Sequence, residues 1–230
     1  MHGTELPRSW VFLGAGGTAN VVYWTLKDIL GDFEVVVIED ESDRAEIDFG
    51  DAKQPVLKTW DLTEYRKRSR YGSQQAFQHF TLTTTDPRYK KSFVEKALAA
   101  GLKPAPPIIH PNCVVHCPRH IGAACIFVAF AMIEPSAWIG DYVHVTHHCV
   151  VGHHSRIGDY VYFAPGSITV GNVDIGEGVW LGAGCLVREK VKIAPWVTVG
   201  AQAAVVKDIT EPGIVVAGVP ARKLEPKSTH

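Results

Sequence analysis

At 230 residues the chain is long enough for two folding units, and 46% hydrophobic content with a formal net charge of −1 describes an ordinary soluble protein. The balance of 23 Lys and Arg against 24 Asp and Glu leaves no basic field to draw nucleic acid, which sets that class of partner aside. Apolar runs near the N-terminus are broken by charge and glycine, arguing against a signal peptide or membrane span and for a cytoplasmic protein.

In chain order, Trp10-Val11-Phe12-Leu13 reads as a strand, followed by Gly14-Ala15-Gly16-Gly17-Thr18-Ala19 and an apolar-periodic stretch to Leu30 that reads as a helix. Residues 34–38 form a second predicted strand, ending in the acids Glu39 and Asp40. Residues 78–85 read as a further strand and 86–101 as a helix, so strand alternates with helix and a small parallel sheet is expected. A Gly-rich turn between strand and helix lets a phosphate approach the helix N-terminus, while an acid ending the next strand can hold a ribose or base. Gly14, Gly16, Gly17 and Thr18 with Glu39 and Asp40 are therefore candidate nucleotide-binding residues; a purely structural turn beside a solvated acid is the alternative. Because Thr18 and Ala19 follow Gly17, the spacing departs from G-x-G-x-x-G, and a nicotinamide dinucleotide is not supported.

The Pro-rich run Lys103-Pro104-Ala105-Pro106-Pro107 places a boundary between residues 1–107 and 108–230. Beyond it every sixth residue from Ile109 to Val205 is apolar, Thr169 excepted, and the position four places later is small or β-branched, Arg119 excepted. An eighteen-residue beat of Ile-Gly at 121, 139, 157 and 175, and Ile-Ala at 193, lies on top. This is the pattern of a parallel β-helix of hexapeptide repeats, in which three hexads make one coil and residues eighteen apart stack at roughly 4.8 Å. Each inward aliphatic gains roughly 1.5–3 kcal/mol by burial. The glycines after the isoleucines are expected to permit the tight corners. Cys113, Cys125, Cys149 and Cys185 fall in the small inward slot, pointing to reduced core thiols, whereas Cys117 lies off it.

A small βαβ unit, then Ile109-His110-Pro111, hexapeptide coils, Val150-Val151-Gly152-His153 and a closing Gly218-Val219-Pro220-Ala221 resembles the NeuD/PglD-like sugar acyltransferases over nearly the whole chain. The resemblance implies an α/β, Rossmann-like βαβ domain that holds a nucleotide sugar (1–107), followed by a left-handed parallel β-helix acyltransferase domain (108–230). It also implies a homotrimer that transfers acetyl from acetyl-CoA to the amine of a nucleotide-linked amino-deoxysugar. The family's catalytic histidine falls on His153, which as neutral imidazole would take a proton from the attacking amine. Gly171, one coil on, would offer a backbone N–H to the thioester oxygen. Where members carry an acid after that histidine this chain has His154; a second family histidine is Tyr162, and the usual histidine after the N-terminal glycines is Thr18. The family's coenzyme A groove maps to Gly171, Ala183, Gly200 and Ala201, with Lys207, Arg222 and Lys223 as phosphate partners.

Sugar O-acetylation is the nearest alternative, since the same base can serve a hydroxyl. His144, His147, His148, His153 and His154 invite a zinc site, but the column position two coils before His148 is Asn112, so no metal is expected. A non-catalytic binding protein is the remaining class and requires His153 to be idle.

Overall fold

The structure, a computed structural model, describes residues 6–225. These fall into two compact units, one of residues 6–111 with 123–126 and one of 112–122 with 127–225.

In the first unit β1 (Ser9–Leu13), α1 (Gly17–Leu30), β2 (Glu34–Ile38), β3 (Glu46–Asp48), β4 (Lys53–Leu57), α2 (Thr63–Arg68), β5 (His79–Leu82), α3 (Pro87–Ala99) and β6 (Lys103–Pro104) build a sheet of order β3-β4-β2-β1-β5-β6. All pairings are parallel except β3 with β4, so the sheet is mixed. The unbroken apolar run of β1 suits a central strand covered on both faces, and all five of its residues are buried. Helix α1 buries Ala19, Val22, Tyr23 and Leu26, a single stripe at helical spacing. Helix α3 starts where Asp86 accepts a hydrogen bond from the Arg88 N–H (2.8 Å) and Pro87 supplies a fixed φ. Because β2 and β5 flank β1 on opposite sides, the Gly14–Gly17 turn sits at the point where the strand order reverses.

The second unit is a β-helix of two-residue strands on three faces. One face stacks His144–Val145, Tyr162–Phe163, Trp180–Leu181, Thr198–Val199 and Val215–Ala217; the next stacks Val114–Val115, Met132–Ile133, Val150–Val151, Ile168–Thr169, Leu186–Val187 and Ala204–Val205. The third stacks His120–Ile121, Trp138–Ile139, Arg156–Ile157, Asp174–Ile175 and Lys192–Ile193. Every pairing joins residues eighteen apart until the last coil, where Thr198 pairs with Val215, as in Val145 with Phe163 and Val151 with Thr169. Val145, Val151, Ile157, Phe163 and Leu181 are fully buried. Thr169, the polar exception, is buried too, and its hydroxyl is satisfied by donating to the Val150 carbonyl (3.3 Å) and accepting from the Gly152 N–H (3.4 Å). All five cysteines are free thiols; burial pushes Cys113 up to about 11 and Cys185 up to about 12, so these two stay protonated.

The corners correct one expectation. Every sixth residue from Phe130 to Gln202 has a positive φ, and most are not glycine, His154 among them. The glycines of the Ile-Gly pairs do not take that conformation; they are needed because the next coil passes too close for a Cβ. A Cβ on Gly158 would lie 2.7 Å from the backbone N of Glu177, and one on Gly176 would lie 2.6 Å from that of Pro195. Some of these left-handed residues stack one coil on the next: Phe130 lies on His148 with centroids 5.3 Å apart, and Tyr142 on Tyr160 at 5.0 Å.

Candidate active site

His153 and His154 occupy the corner between the strands Val150–Val151 and Arg156–Ile157, with both side chains exposed. Three hydrogen bonds clamp this corner to its neighbours. The His153 N–H donates to Glu134 Oε2 (2.8 Å), the His154 N–H to the Pro135 carbonyl (3.1 Å), and the Asn172 N–H to the His153 carbonyl (2.8 Å). The two imidazoles meet through their Nδ1 atoms at 3.1 Å, leaving Nε2 of His153 outside that contact. That ring lies against Gly171: a Cβ there would sit 2.5 Å from Nε2 and 2.9 Å from Cδ2. Only glycine leaves room for this imidazole.

Gly171 contributes more than space. Its carbonyl accepts from the Lys190 N–H (3.1 Å), but its own N–H has no acceptor among the described residues. The same holds for Ala183 and Ala201, which fill the same corner position in their hexads, whereas the Gly200 N–H is consumed by the Val216 carbonyl (2.7 Å). Spare backbone donors suit a thioester or amide oxygen. The structure brings together His153, His154 and Gly171 on one corner; Ala183 and Ala201 stack on another, before Leu186–Val187 and Ala204–Val205 respectively. Tyr162 is on a face that neither strand flanking His153 belongs to, stacked on Trp180 with centroids 5.9 Å apart, so one chain does not bring it to His153. Burial, and then the neighbouring Cys149, raise the Tyr162 phenol above its ordinary range, which keeps it a hydrogen-bond donor.

Lys207, Arg222 and Lys223 line one cavity of about 430 Å³ at the end of the coils. Lys223 is committed there to Glu211 (2.7 and 2.9 Å), and Arg222 donates to the Ala221 carbonyl (2.9 Å).

In the first unit the turn holds Gly14 at φ +113°, pressed on Thr83, whose hydroxyl donates to the Gly14 carbonyl (2.6 Å). Gly16 caps α1 and Gly17 opens it, with open space around both, and Thr18 follows half-exposed. The two acids part company. Glu39 accepts from the Ala15 N–H (2.6 Å) at the turn, while Asp40 bonds Lys96 Nζ (3.0 and 3.2 Å) and Trp60 Nε1 (3.2 Å). Burial alone would raise the Asp40 carboxyl, but the Lys96 and Trp60 hydrogen bonds outweigh it and hold it below the usual carboxylate range. Arg44 donates to the Ala15 carbonyl (2.6 Å), and Lys58 to the carbonyls of Glu39 (2.8 Å) and Ser42, so two cations lie beside the turn.

Sequence reasoning missed Glu134, Arg44 and Lys58. Glu134 was findable: it precedes His153 by nineteen residues, one step outside the eighteen-residue column. Arg44 and Lys58 follow strands without a motif. Among the described residues, no group of three or more His, Cys, Asp or Glu side chains within the chain is placed to hold a metal ion.

Residues 130–165 match the bacterial transferase hexapeptide model, which comprises six repeats. PerB from Caulobacter crescentus, in complex with CoA and GDP-perosamine, is 26% identical at a TM-score of 0.80, covering 96% of this chain and 100% of that one. The acetyltransferase domain of PglB from Neisseria gonorrhoeae is 30% identical at a TM-score of 0.78, covering 95% and 100%; its complex with acetyl coenzyme A matches over 94% and 99% at the same identity and TM-score. WeeI from Acinetobacter baumannii, 22% identical, shares the fold at a TM-score of 0.77 over 94% of this chain and 99% of that one. No curated protein sequence matches the chain.

Proposed function

Because this chain belongs to the NeuD/PglD-like sugar acyltransferases, a family of hexapeptide-repeat transferases, we propose that it transfers acetyl from acetyl-CoA to the amine of a nucleotide-linked amino-deoxysugar. The observation that carries the reading is the His153 ring set against Gly171, whose N–H is unspent. In this reaction His153 Nε2 takes a proton from the sugar's ammonium group, and the freed amine nitrogen attacks the thioester carbon. The oxygen that gains charge takes a hydrogen bond from the Gly171 N–H, and collapse of the tetrahedral intermediate expels the coenzyme A sulfur. Ala183 and Ala201 offer donors to the coenzyme's amide groups, and Lys207 with Arg222 offers charge to its phosphates.

The first unit takes the nucleotide, with the diphosphate at the N-terminus of α1 over Gly16, Gly17 and Thr18 and the ribose near Glu39. Asp40, held by Lys96 and Trp60, acts from just beyond the end of β2. Use of acetyl-CoA fits a cytoplasmic protein. The working unit is a homotrimer, because the face carrying Val114, Met132, Ile168 and Leu186 presents these side chains 37–42% exposed in an apolar stripe. The next face around carries His120, Arg156, Asp174 and Lys192 outward instead. In this reading Tyr162 reaches the acyl group from a neighbouring copy. Screening UDP- and GDP-linked amino sugars with acetyl-CoA, read as free thiol, tests the function. Reaction of an amino sugar is expected, and reaction of hydroxyl-bearing sugars alone contradicts it.

A further inference from the structure

We propose that His153 and His154 form a two-imidazole proton relay that carries the amine's proton from the reacting site to water. The inference rests on the amino-sugar reading above. An Nδ1 to Nδ1 contact of 3.1 Å is stable only with one proton between the two nitrogens, since two lone pairs or two N–H groups facing each other repel. With His153 as the donor, its Nε2 is bare beside Gly171, which is what a base at that place requires. His154 is then bare at Nδ1 and protonated at Nε2, and it is exposed. The hydrogen bonds from both backbones to Glu134 and Pro135, and from Asn172 to His153, hold the pair in register across three successive coils.

The chemistry needs such an exit. A sugar amine reaches the enzyme at neutral pH mostly as an ammonium, so the net reaction joins the ammonium and the thioester into amide and free thiol and releases one proton. His153 Nε2 takes that proton from the ammonium, its Nδ1 proton passes to Nδ1 of His154, and Nε2 of His154 gives its proton to water. The free amine then attacks, the carbon–sulfur bond breaks, and the sulfur takes the proton now on His153 Nε2. The Nδ1 proton returns from His154, whose Nε2 takes one from water, while the amide nitrogen loses its second proton to water. Both imidazoles are back in their starting tautomers, and one proton has left.

His154 has φ 58°, a conformation that asparagine tolerates well, and the Asn amide oxygen still accepts from His153 Nδ1 but carries no proton. His154→Asn therefore keeps the turn and the orientation and removes only the relay. With acetyl-CoA and GDP-perosamine as probes, thiol release is expected to fall on the order of tenfold, less than the roughly 10²–10⁴ that loss of the primary base costs. Free imidazole added to the buffer should restore it. Wild-type turnover in His154→Asn, or a fall that imidazole does not repair, overturns the relay. A wild-type protein that releases no thiol with GDP-perosamine or with any other UDP- or GDP-linked amino sugar sinks the amino-sugar reading instead. In that case ¹⁵N spectra of the substrate-free full chain decide the relay: His153 protonated at Nδ1 upholds it, and His153 protonated at Nε2 overturns it.

Discussion

A single methyl group on Gly171 separates the chemistry of the corner from its folding. The Cβ of Gly171→Ala would overlap the His153 ring, and that ring is exposed, so it swings aside without disturbing the buried core. Displacing a catalytic group by about 1 Å costs on the order of 10² in rate. The variant is expected to lose turnover on that scale while its melting temperature stays near wild type; a lowered melting temperature with unchanged turnover would contradict this placement. Lys90, fully buried in the first unit, offers a second test. Burial pushes its ammonium down to about 7, whereas the unfolded chain holds the proton up to about 10.4. Between those values the unfolded state binds more protons, so this residue makes stability rise with pH across that window. Lys90→Met removes that slope, so its melting temperature relative to wild type is highest at pH 7 and below and falls toward pH 10. A difference independent of pH would show that Lys90 does not titrate there. At this scale the closeness of His153 to Gly171 was legible, because the eighteen-residue column stacks the two positions. The Nδ1 contact with His154 and the Glu134 hydrogen bond were not, since rotamers and contacts one residue out of column leave no periodic trace. Sequence also treated Glu39 and Asp40 alike, and only the hydrogen bonds of Lys96, Trp60 and Ala15 tell them apart.

Among the elements, the coils declare themselves because a period of six has no competing interpretation, whereas β3, β4 and α2 carry no comparable signal. Strand β3 has three residues, β4 contains Pro55, and α2 buries none of its side chains, so no stripe or alternation marks residues 41–77. The corner glycines were located in sequence but given the wrong cause. Their role yields a prediction: in Gly158→Ala the Cβ meets the Glu177 backbone at 2.7 Å, which moves only if the coils part. Overpacking of this kind costs about 1–3 kcal/mol, and denaturant unfolding should show a loss of that size. Gly17→Ala, with open space at the first position of α1, should leave stability unchanged or slightly raised. Equal losses in the two variants would mean that backbone conformation, and not coil spacing, dictates glycine at 158.

For the whole molecule, the exposed stripe of Val114, Met132, Ile168 and Leu186 is the feature on which the proposed trimer rests. Charge placed on it by Ile168→Lys with Leu186→Glu is expected to shift the solution mass from trimer to monomer and to abolish acetyl transfer, while each monomer keeps its β-sheet circular dichroism. A wild-type protein that is monomeric in solution would remove the shared-site arrangement and the part given to Tyr162. The central claim, that His153 is the base in acetyl transfer to an amino sugar, is tested most directly by thiol release from acetyl-CoA with the UDP- or GDP-linked amino sugar that wild type turns over, comparing wild type with His153→Asn. The expected result is a fall in kcat of about 10²–10⁴, with acetyl-CoA affinity and subunit mass unchanged. Near-normal turnover in His153→Asn would contradict it.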